Sequence, residues 1–333
     1  MDGLDRTRES LVSVVITTHN RARLLALAMR SVLEQTYRHL ELLVVDDAST
    51  DDTGETVGRL ADGRVRYLRH AECRGGSAAR NTGILNASGD FIAFLDDDDE
   101  WFPRKLELQM ERFRANPRAG AVYTGLLHVE LETGRTVNAR VARKRGYLFD
   151  DLMVANVVGT PSTVVVRREI FDRGGLFDET IQALEDLDMW RRMGGTCYFD
   201  FVREPLLRYG LHGHERVTVD YGKMAHGFEA QLEKFADEFA RRDKARSVCH
   251  YWIGLYYIRD DPKRARQALL RAVAAYPLRP NPYPWLALTC CGKTGLRALD
   301  LFERYPWRRY TYLRGWLKSR FYGVNHRRAQ AHA

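Results

Sequence analysis

Apolar and polar positions alternate in blocks along the first hundred residues. Residues 11–18, LVSVVITT, form a nearly continuous β-branched run, as expected of a strand buried on both faces. Residues 21–35 then place Leu24, Leu27, Ala28, Ser31 and Val32 at helical spacing. LELLVVDD predicts a second buried strand, and Ser49 to Asp52 fits a helix start. Residues 65–69 predict a third strand, 77–87 a helix stopped near Gly89, and DFIAFL a fourth strand. Pro103 opens a helix with Leu106, Met110 and Phe113 on one face. Strand–helix alternation of this kind predicts a mostly parallel α/β sheet with right-handed crossovers. Ligands of such sheets bind at the carboxyl ends of the strands. Three polar clusters follow three buried strands at those places: Thr17 to Asn20, Asp46 to Ser49, and Asp96 to Asp99.

The pattern then changes. Residues 121–209 are mixed, with strand-like AVYTGLLHVEL, STVVVRR and TCYFDF and a helix-like LEDLDMWRRM. From about residue 221 it turns helical, with Phe228, Leu232, Phe235 and Phe239 as one stripe. Residues 251–257 and 265–276 predict further helices, before the Pro-rich break PLRPNPYP. ALLRAVAAYP reads as one helical-repeat unit without a second copy at a fixed period.

Charge divides the chain in the same way. The net charge is +8, yet residues through Glu215 carry −5 and those from Arg216 carry +13. An acidic body and a basic tail imply two parts with different tasks. No run reaches the roughly 18–20 apolar residues of a membrane span. MDGLDRTRES has no signal-peptide apolar stretch, and five cysteines (Cys73, Cys197, Cys249, Cys290, Cys291) lack CxxC spacing. Together these predict a cytoplasmic chain with reduced, packing cysteines.

Four adjacent carboxylates, Asp96 to Asp99, repel one another and call for an offsetting charge. Oxygen donors suit Mg²⁺ or Mn²⁺, which commonly hold diphosphates through one or two carboxylates. Asp46 or Asp47, ending the second strand, could accept hydrogen bonds from a nucleobase or ribose. In RGGSAARN the glycines allow close backbone approach, and Arg80 offers a planar fork to phosphate. Glu185, Asp186 and Asp188 form a second acidic cluster, in which Asp186 or Glu185 could serve as a general base. Asp188 reads as a partner for Arg191 or Arg192. His212 and His214 stand near the end of the acidic body.

Five ordered motifs then matter together: VSVVITTHNR, QTYRHLELLVVDDASTDDT, RGGSAARNTGILNASGDFIAFLDDDDEWFPRKLE, GGLFDE and EDLDMWRRM. Over roughly residues 10–218 the sequence resembles family 2 glycosyltransferases of the inverting GT-A fold. The resemblance implies a Rossmann-like α/β fold, with a mostly parallel sheet, flanking helices and a helical C-terminal extension. It divides the chain into a catalytic domain, 1–218, and a basic helical region, 219–333. Nucleotide-sugar binding falls in about 10–120 and the acceptor side in about 120–218. It implies transfer of a sugar from a nucleoside-diphosphate donor, by default a uridine one, to a hydroxyl of a glycan or lipid-linked acceptor. Thr17 and Asp47 match nucleobase-holding positions, and Arg80 a donor-side position. Asn20, Asp96 and Asp97 join the donor-binding set. Asp98 is the expected metal ligand, for Mn²⁺ or Mg²⁺, with His212 as a further candidate. Asp186, with Glu185, is the expected base.

The tail, YPWRRYTYLRGWLKSRFYGVNHRR, interleaves aromatics and cations at roughly helical spacing. Two expectations stand for it: peripheral contact with the anionic inner face of the cytoplasmic membrane, or packing on the catalytic domain. Nucleic-acid binding is not expected. A nucleotidyltransferase acting on sugar phosphates and a non-catalytic sugar-nucleotide binder are the alternatives to a transferase. THNRARLL lacks the glycine- and lysine/arginine-rich loop of the first, and the intact carboxylates argue against the second.

Overall fold

The structure, a computed structural model, describes residues 10–211 and 220–290. His212, His214, Cys291 and the basic tail lie outside the described residues.

The alternating blocks form β1 (Val12–Thr18), α1 (Ala22–Leu33), β2 (Leu40–Asp46), α2 (Thr53–Arg59), β3 (Val65–Arg69), α3 (Gly76–Asn86) and β4 (Phe91–Asp96). Their strands pair in parallel in the order β3-β2-β1-β4. Successive β1 residues face opposite layers, as a pleated strand requires. Val12, Val14 and Ile16 pack with Leu25 and Met29 of α1. Val15 packs with Ala79 and Ile84 of α3. Both faces are therefore dry, which explains the unbroken apolar runs.

Beyond β4 the sheet becomes mixed. It continues through β5 (Asp99–Trp101), α4 (Lys105–Ala115), β6 (Ala119–Glu130), β7 (Thr136–Arg140), α5 (Phe149–Val154), β8 (Val164–Arg167), α6 (Arg168–Gly174), α7 (Glu185–Gly194) and β9 (Tyr198–Leu211). β8 pairs antiparallel to β4 and β6, and β9 returns parallel to β6. The predicted mostly parallel order holds for β1 to β4, and beyond β4 antiparallel pairs join the sheet while β6 and β9 remain parallel. Leu106, Met110 and Phe113 are buried, as their spacing predicts.

The last described elements are α8 (Tyr221–Lys234), α9 (Ala236–Ala240), α10 (Asp243–Tyr257), α11 (Pro262–Ala275) and α12 (Pro282–Cys290). They share a core with Met153 and Ala183, so this region packs on the sheet domain. A Cβ on Gly227 of α8 would lie 2.6 Å from the Ala183 carbonyl, so only glycine permits this approach.

Two local expectations change. Ser49 does not cap α2, because its hydroxyl accepts the Asn20 N–H at 2.9 Å. Asp51 instead accepts from Thr53 N at 3.1 Å. The cysteines are not uniformly packing residues: Cys197 and Cys249 are buried, but Cys73 and Cys290 are exposed. The Cys73 thiol donates to Asp47 Oδ2 at 3.2 Å.

Candidate functional site

The site assembles at the carboxyl ends of β1, β2 and β4. Asn20 and Ala48 follow β1 and β2, and Leu184 precedes α7, each with a left-handed backbone (φ 54°, 61° and 66°). Non-glycine residues adopt this region at a cost, and such strain clusters at functional sites. Asn20 ties the two loops by accepting from Thr50 N at 2.7 Å. Thr17 is half-buried in the last turn of β1 and registers beside Asp96.

Asp46 and Asp47 diverge. Asp46 accepts from Ser49 N at 2.8 Å and from the Tyr67 hydroxyl. Asp47 is held by the loop after β3: Gly75 N at 2.7 Å, Arg74 N at 2.9 Å, His70 Nδ1 at 2.7 Å and Cys73. Burial works to raise its pKa, but these donors outweigh burial and hold it below the ordinary range. The structure thus gives Asp47 a loop-holding set of partners within the chain.

The acidic string splits by side-chain direction. Asp97 is buried, accepting from Thr18 Oγ1 at 2.7 Å and Arg21 Nη1 at 3.0 Å. Burial pushes its pKa up to about 6 despite the Arg21 guanidinium. Asp96 lies on the other side, where Arg80 Nη2 donates at 2.7 Å and Thr160 Oγ1 at 3.2 Å. Its own N–H donates to Ser162 Oγ at 3.0 Å. Asp98 Oδ2 lies 3.4 Å from Arg21 Nη1. Asp99 is buried and accepts the Gly210 N–H at 3.1 Å. Burial and the neighbouring Asp98 and Asp96 raise its pKa well above normal.

Arg80 connects this string to the second acidic cluster. Its Nη1 donates to Glu185 Oε1 at 3.0 Å, and the guanidinium lies over the Phe177 ring at 5.6 Å. Burial alone would lower its pKa, but Asp96 and Glu185 more than offset that and raise it. Asp186, next on α7, accepts from Asn156 Nδ2 at 2.9 Å. Burial and the adjacent Glu185 push its pKa up to about 7, although surrounding atoms leave it partly accessible. Asp188 is not part of this group: it is buried against Arg192 at 2.9 Å and Lys234 at 2.8 Å. The motif GGLFDE docks alongside, since Asn81 Nδ2 donates to Phe177 O and Glu179.

Sequence reasoning does not anticipate Asn156, Thr160 and Ser162, nor the roles of Thr18 and Arg21. The first three lie in the connection between α5 and β8, which has no periodicity to flag them. Their signal is a polar cluster just before a buried strand, with Gly159 at φ 109°.

The donor set can be tested against a divalent cation. Asp99 is buried within a string of like charges, and the Gly210 N–H and the Ser162 hydroxyl offset only part of the effect of its burial. All donors here are oxygens, suited to a hard cation. Among the described residues no three His, Cys, Asp or Glu side chains converge as a closed cage. Cations that bind diphosphate need only one or two protein carboxylates, because phosphate oxygens and water complete the shell. The residues present fit that mode.

An α/β sheet with acidic loops at these strand ends, bridged to a second acidic helix start, defines a GT-A protein. Comparison with known proteins narrows this further. Residues 13–175 match the family described as Glycosyl transferase family 2. The chain is 30% identical to the putative teichuronic acid biosynthesis glycosyltransferase TuaG of Bacillus subtilis, over 60% of this chain and 79% of that protein. The chain therefore belongs to glycosyltransferase family 2. It is also 42% identical, over 32% of its length and 42% of the relative's, to the Escherichia coli protein WfgD, named a UDP-Glc:alpha-D-GlcNAc-diphosphoundecaprenol beta-1,3-glucosyltransferase. The mannosyltransferase PcManGT from Pyrobaculum calidifontis, solved with GDP-Man and Mn²⁺, superposes with a TM-score of 0.58 at 21% identity, covering 94% of this chain and 87% of that one. The chain spans only 34–39% of the lengths of three other curated relatives.

Proposed function

We propose that this chain is an inverting glycosyltransferase. It moves a sugar from a uridine-diphosphate donor to a hydroxyl of a glycan or lipid-linked acceptor. The observation that carries the reading is the Arg80 bridge, 2.7 Å to Asp96 and 3.0 Å to Glu185. It joins a carboxylate string suited to a cation–diphosphate complex with a second carboxylate pair. The activity for which WfgD is named supports the uridine donor and the diphosphate-lipid acceptor.

In this reading residues 1–218 are the catalytic unit, with the donor in about 10–120 and the acceptor side in about 120–218. Residues 219–333 are the basic helical extension. Thr17, Asn20 and Asp47 face the nucleotide, with Asp47 acting through the loop it holds. Asp96 and Arg80 serve the donor side, and Asp97 anchors the string from behind. Asp98 would hold Mn²⁺ or Mg²⁺, joined by His212. A cation held there would offset the negative charge of the diphosphate leaving group. Asp186 takes the proton of the acceptor hydroxyl. The freed oxygen attacks the anomeric carbon from the face opposite the diphosphate, whose C–O bond breaks in the same displacement. Glu185, paired with Arg80, stays charged beside the base. Peripheral contact with the inner face of the cytoplasmic membrane is assigned to the tail. Among the described residues, no helix is long and apolar enough to cross a membrane.

Calorimetry with UDP and Mn²⁺ and a transfer assay test the two carboxylate roles. Asp98→Ala should abolish transfer and weaken metal-dependent UDP binding. Asp186→Asn should lower transfer by roughly 10²–10⁴-fold while leaving that binding intact. Unchanged Mn²⁺-dependent affinity in Asp98→Ala would overturn the metal assignment.

A further inference from the structure

A buried lysine has no place in the chemistry above. Lys105, the first residue of α4, is 0% exposed. Its Nζ donates to Gln109 Oε1 at 2.8 Å and lies 3.9 Å from the centre of the Trp101 ring. No carboxylate offsets its charge among the described residues, and burial pulls its pKa well below the ordinary value. Burying an amine in this way is costly, and one amide and one indole face offset only part of the cost. An apolar side chain of the same length would serve packing better. What the lysine adds is a hydrogen-bond donor.

The two groups that hold Lys105 share a second task. Gln109 Nε2 donates to Val122 O at 2.7 Å and to Thr163 O at 3.0 Å. Trp101 Nε1 donates to Ser162 O at 2.8 Å. The partners of one lysine thus tie two consecutive carbonyls of one segment. Pro161–Thr163 make a single 3₁₀ turn, in which Thr163 N donates to Thr160 O at 3.1 Å.

That turn meets the acidic string directly. Ser162 Oγ accepts the Asp96 N–H at 3.0 Å, and Thr160 Oγ1 donates to Asp96 Oδ2 at 3.2 Å. The Ser162 side chain also bonds Asp99. Gln109, Ser162 and Thr163 are fully buried, so a lost tie has no solvent substitute. The two carbonyls require the N–H side of the Gln109 amide, which turns Oε1 toward Lys105. Without the lysine that oxygen is buried and unpaired, which favours rotation of the amide away from Thr163.

We propose that Lys105 is a positioning residue for the donor site, holding Gln109 and Trp101 so that the turn at 160–163 fixes Asp96. This rests on the glycosyltransferase reading, in which Asp96 serves the donor. Lys105→Met keeps the length of the side chain and removes its donor. Two measurements on the full chain test it: hydrogen exchange of the ligand-free protein, and calorimetry with UDP and Mn²⁺. Lys105→Met should speed exchange across residues 156–166 and weaken UDP binding, each about tenfold. Gln109→Met should do the same, and the double variant should lose no more affinity than Gln109→Met alone, because the two act in series. Phe113→Leu is the control for a lost core contact in the same helix, and it should leave UDP affinity unchanged. If Lys105→Met does not fold, Trp101→Phe, which removes the N–H that reaches Ser162, should show the same two changes. Unchanged UDP affinity in these variants, or an equal loss in Phe113→Leu, overturns the proposal. Failure of the unaltered chain to bind UDP overturns the glycosyltransferase reading instead, and the exchange result then decides whether Lys105 holds the turn.

Discussion

Arg80 makes two charge-assisted bonds across a gap between segments 89 residues apart, one to Asp96 and one to Glu185. Removing it leaves two partly buried carboxylates facing each other. Arg80→Gln should therefore lower stability by about 2–3 kcal/mol and sharply reduce transfer, and Arg80→Lys should restore little of either, because an ammonium cannot span both partners. Chemical denaturation and a transfer assay check both. In the proposed mechanism Asp186 sets the pH dependence. Its pKa is raised to about 7 by burial and by Glu185, and a base must be deprotonated to act. Transfer should rise about tenfold per pH unit below that value and level off above it. In Asp186→Asn that limb should vanish from the residual rate. A pH–rate profile with no inflection near neutrality would count against Asp186 as the base. The residue identities of both acidic clusters are legible from the sequence, since carboxylates after buried strands stand out. Their partners are not: Asn156, Thr160 and Ser162 are ordinary polar residues in an unpatterned connection.

At the scale of elements, spacing predicts the strands and helices well wherever both faces of the sheet are covered. The apolar runs of β1, β2 and β4 are unbroken because each face meets a helix layer. The close approach of α3 to β1 is a tertiary fact. A Cβ on Gly83 would fall 2.2 Å from Val15 Cγ1. Gly83→Ala should cost about 1–3 kcal/mol by overpacking, seen as a lower urea midpoint with unchanged slope. Gly210 shows the same dependence at the site, since a Cβ there would lie 2.2 Å from the Asp98 carbonyl. The glycine in YGLH thus brings the β9 backbone against the acidic turn, and its N–H reaches Asp99. Nothing in the local sequence distinguishes this glycine from a turn residue.

For the molecule as a whole, the helical region is joined to the sheet domain by a shared apolar core and by polar ties. Met153 and Ala183 pack with Met224, Ala225 and Phe228, and Arg191 bonds Gln231 at 2.7 Å. A chain ending at Leu211 should consequently bind a hydrophobic dye and melt well below the full chain, since it uncovers that surface and strands the buried Arg191. Equal melting temperatures would show the two parts to be independent. By itself, the sequence determined the alternating α/β order, the placing of acids at strand ends, the change to a helical region near residue 220 and the family resemblance. Those features depend on periodicity and on motifs contiguous along the chain. The tertiary structure alone decided which carboxylates share a partner, that Asp97 turns inward while Asp96 meets Arg80, and that Asp47 holds a loop. It also decided that α8 packs against Ala183, just before the acidic start of α7. These depend on side-chain direction and on contacts between distant segments, which hydrophobic pattern does not encode.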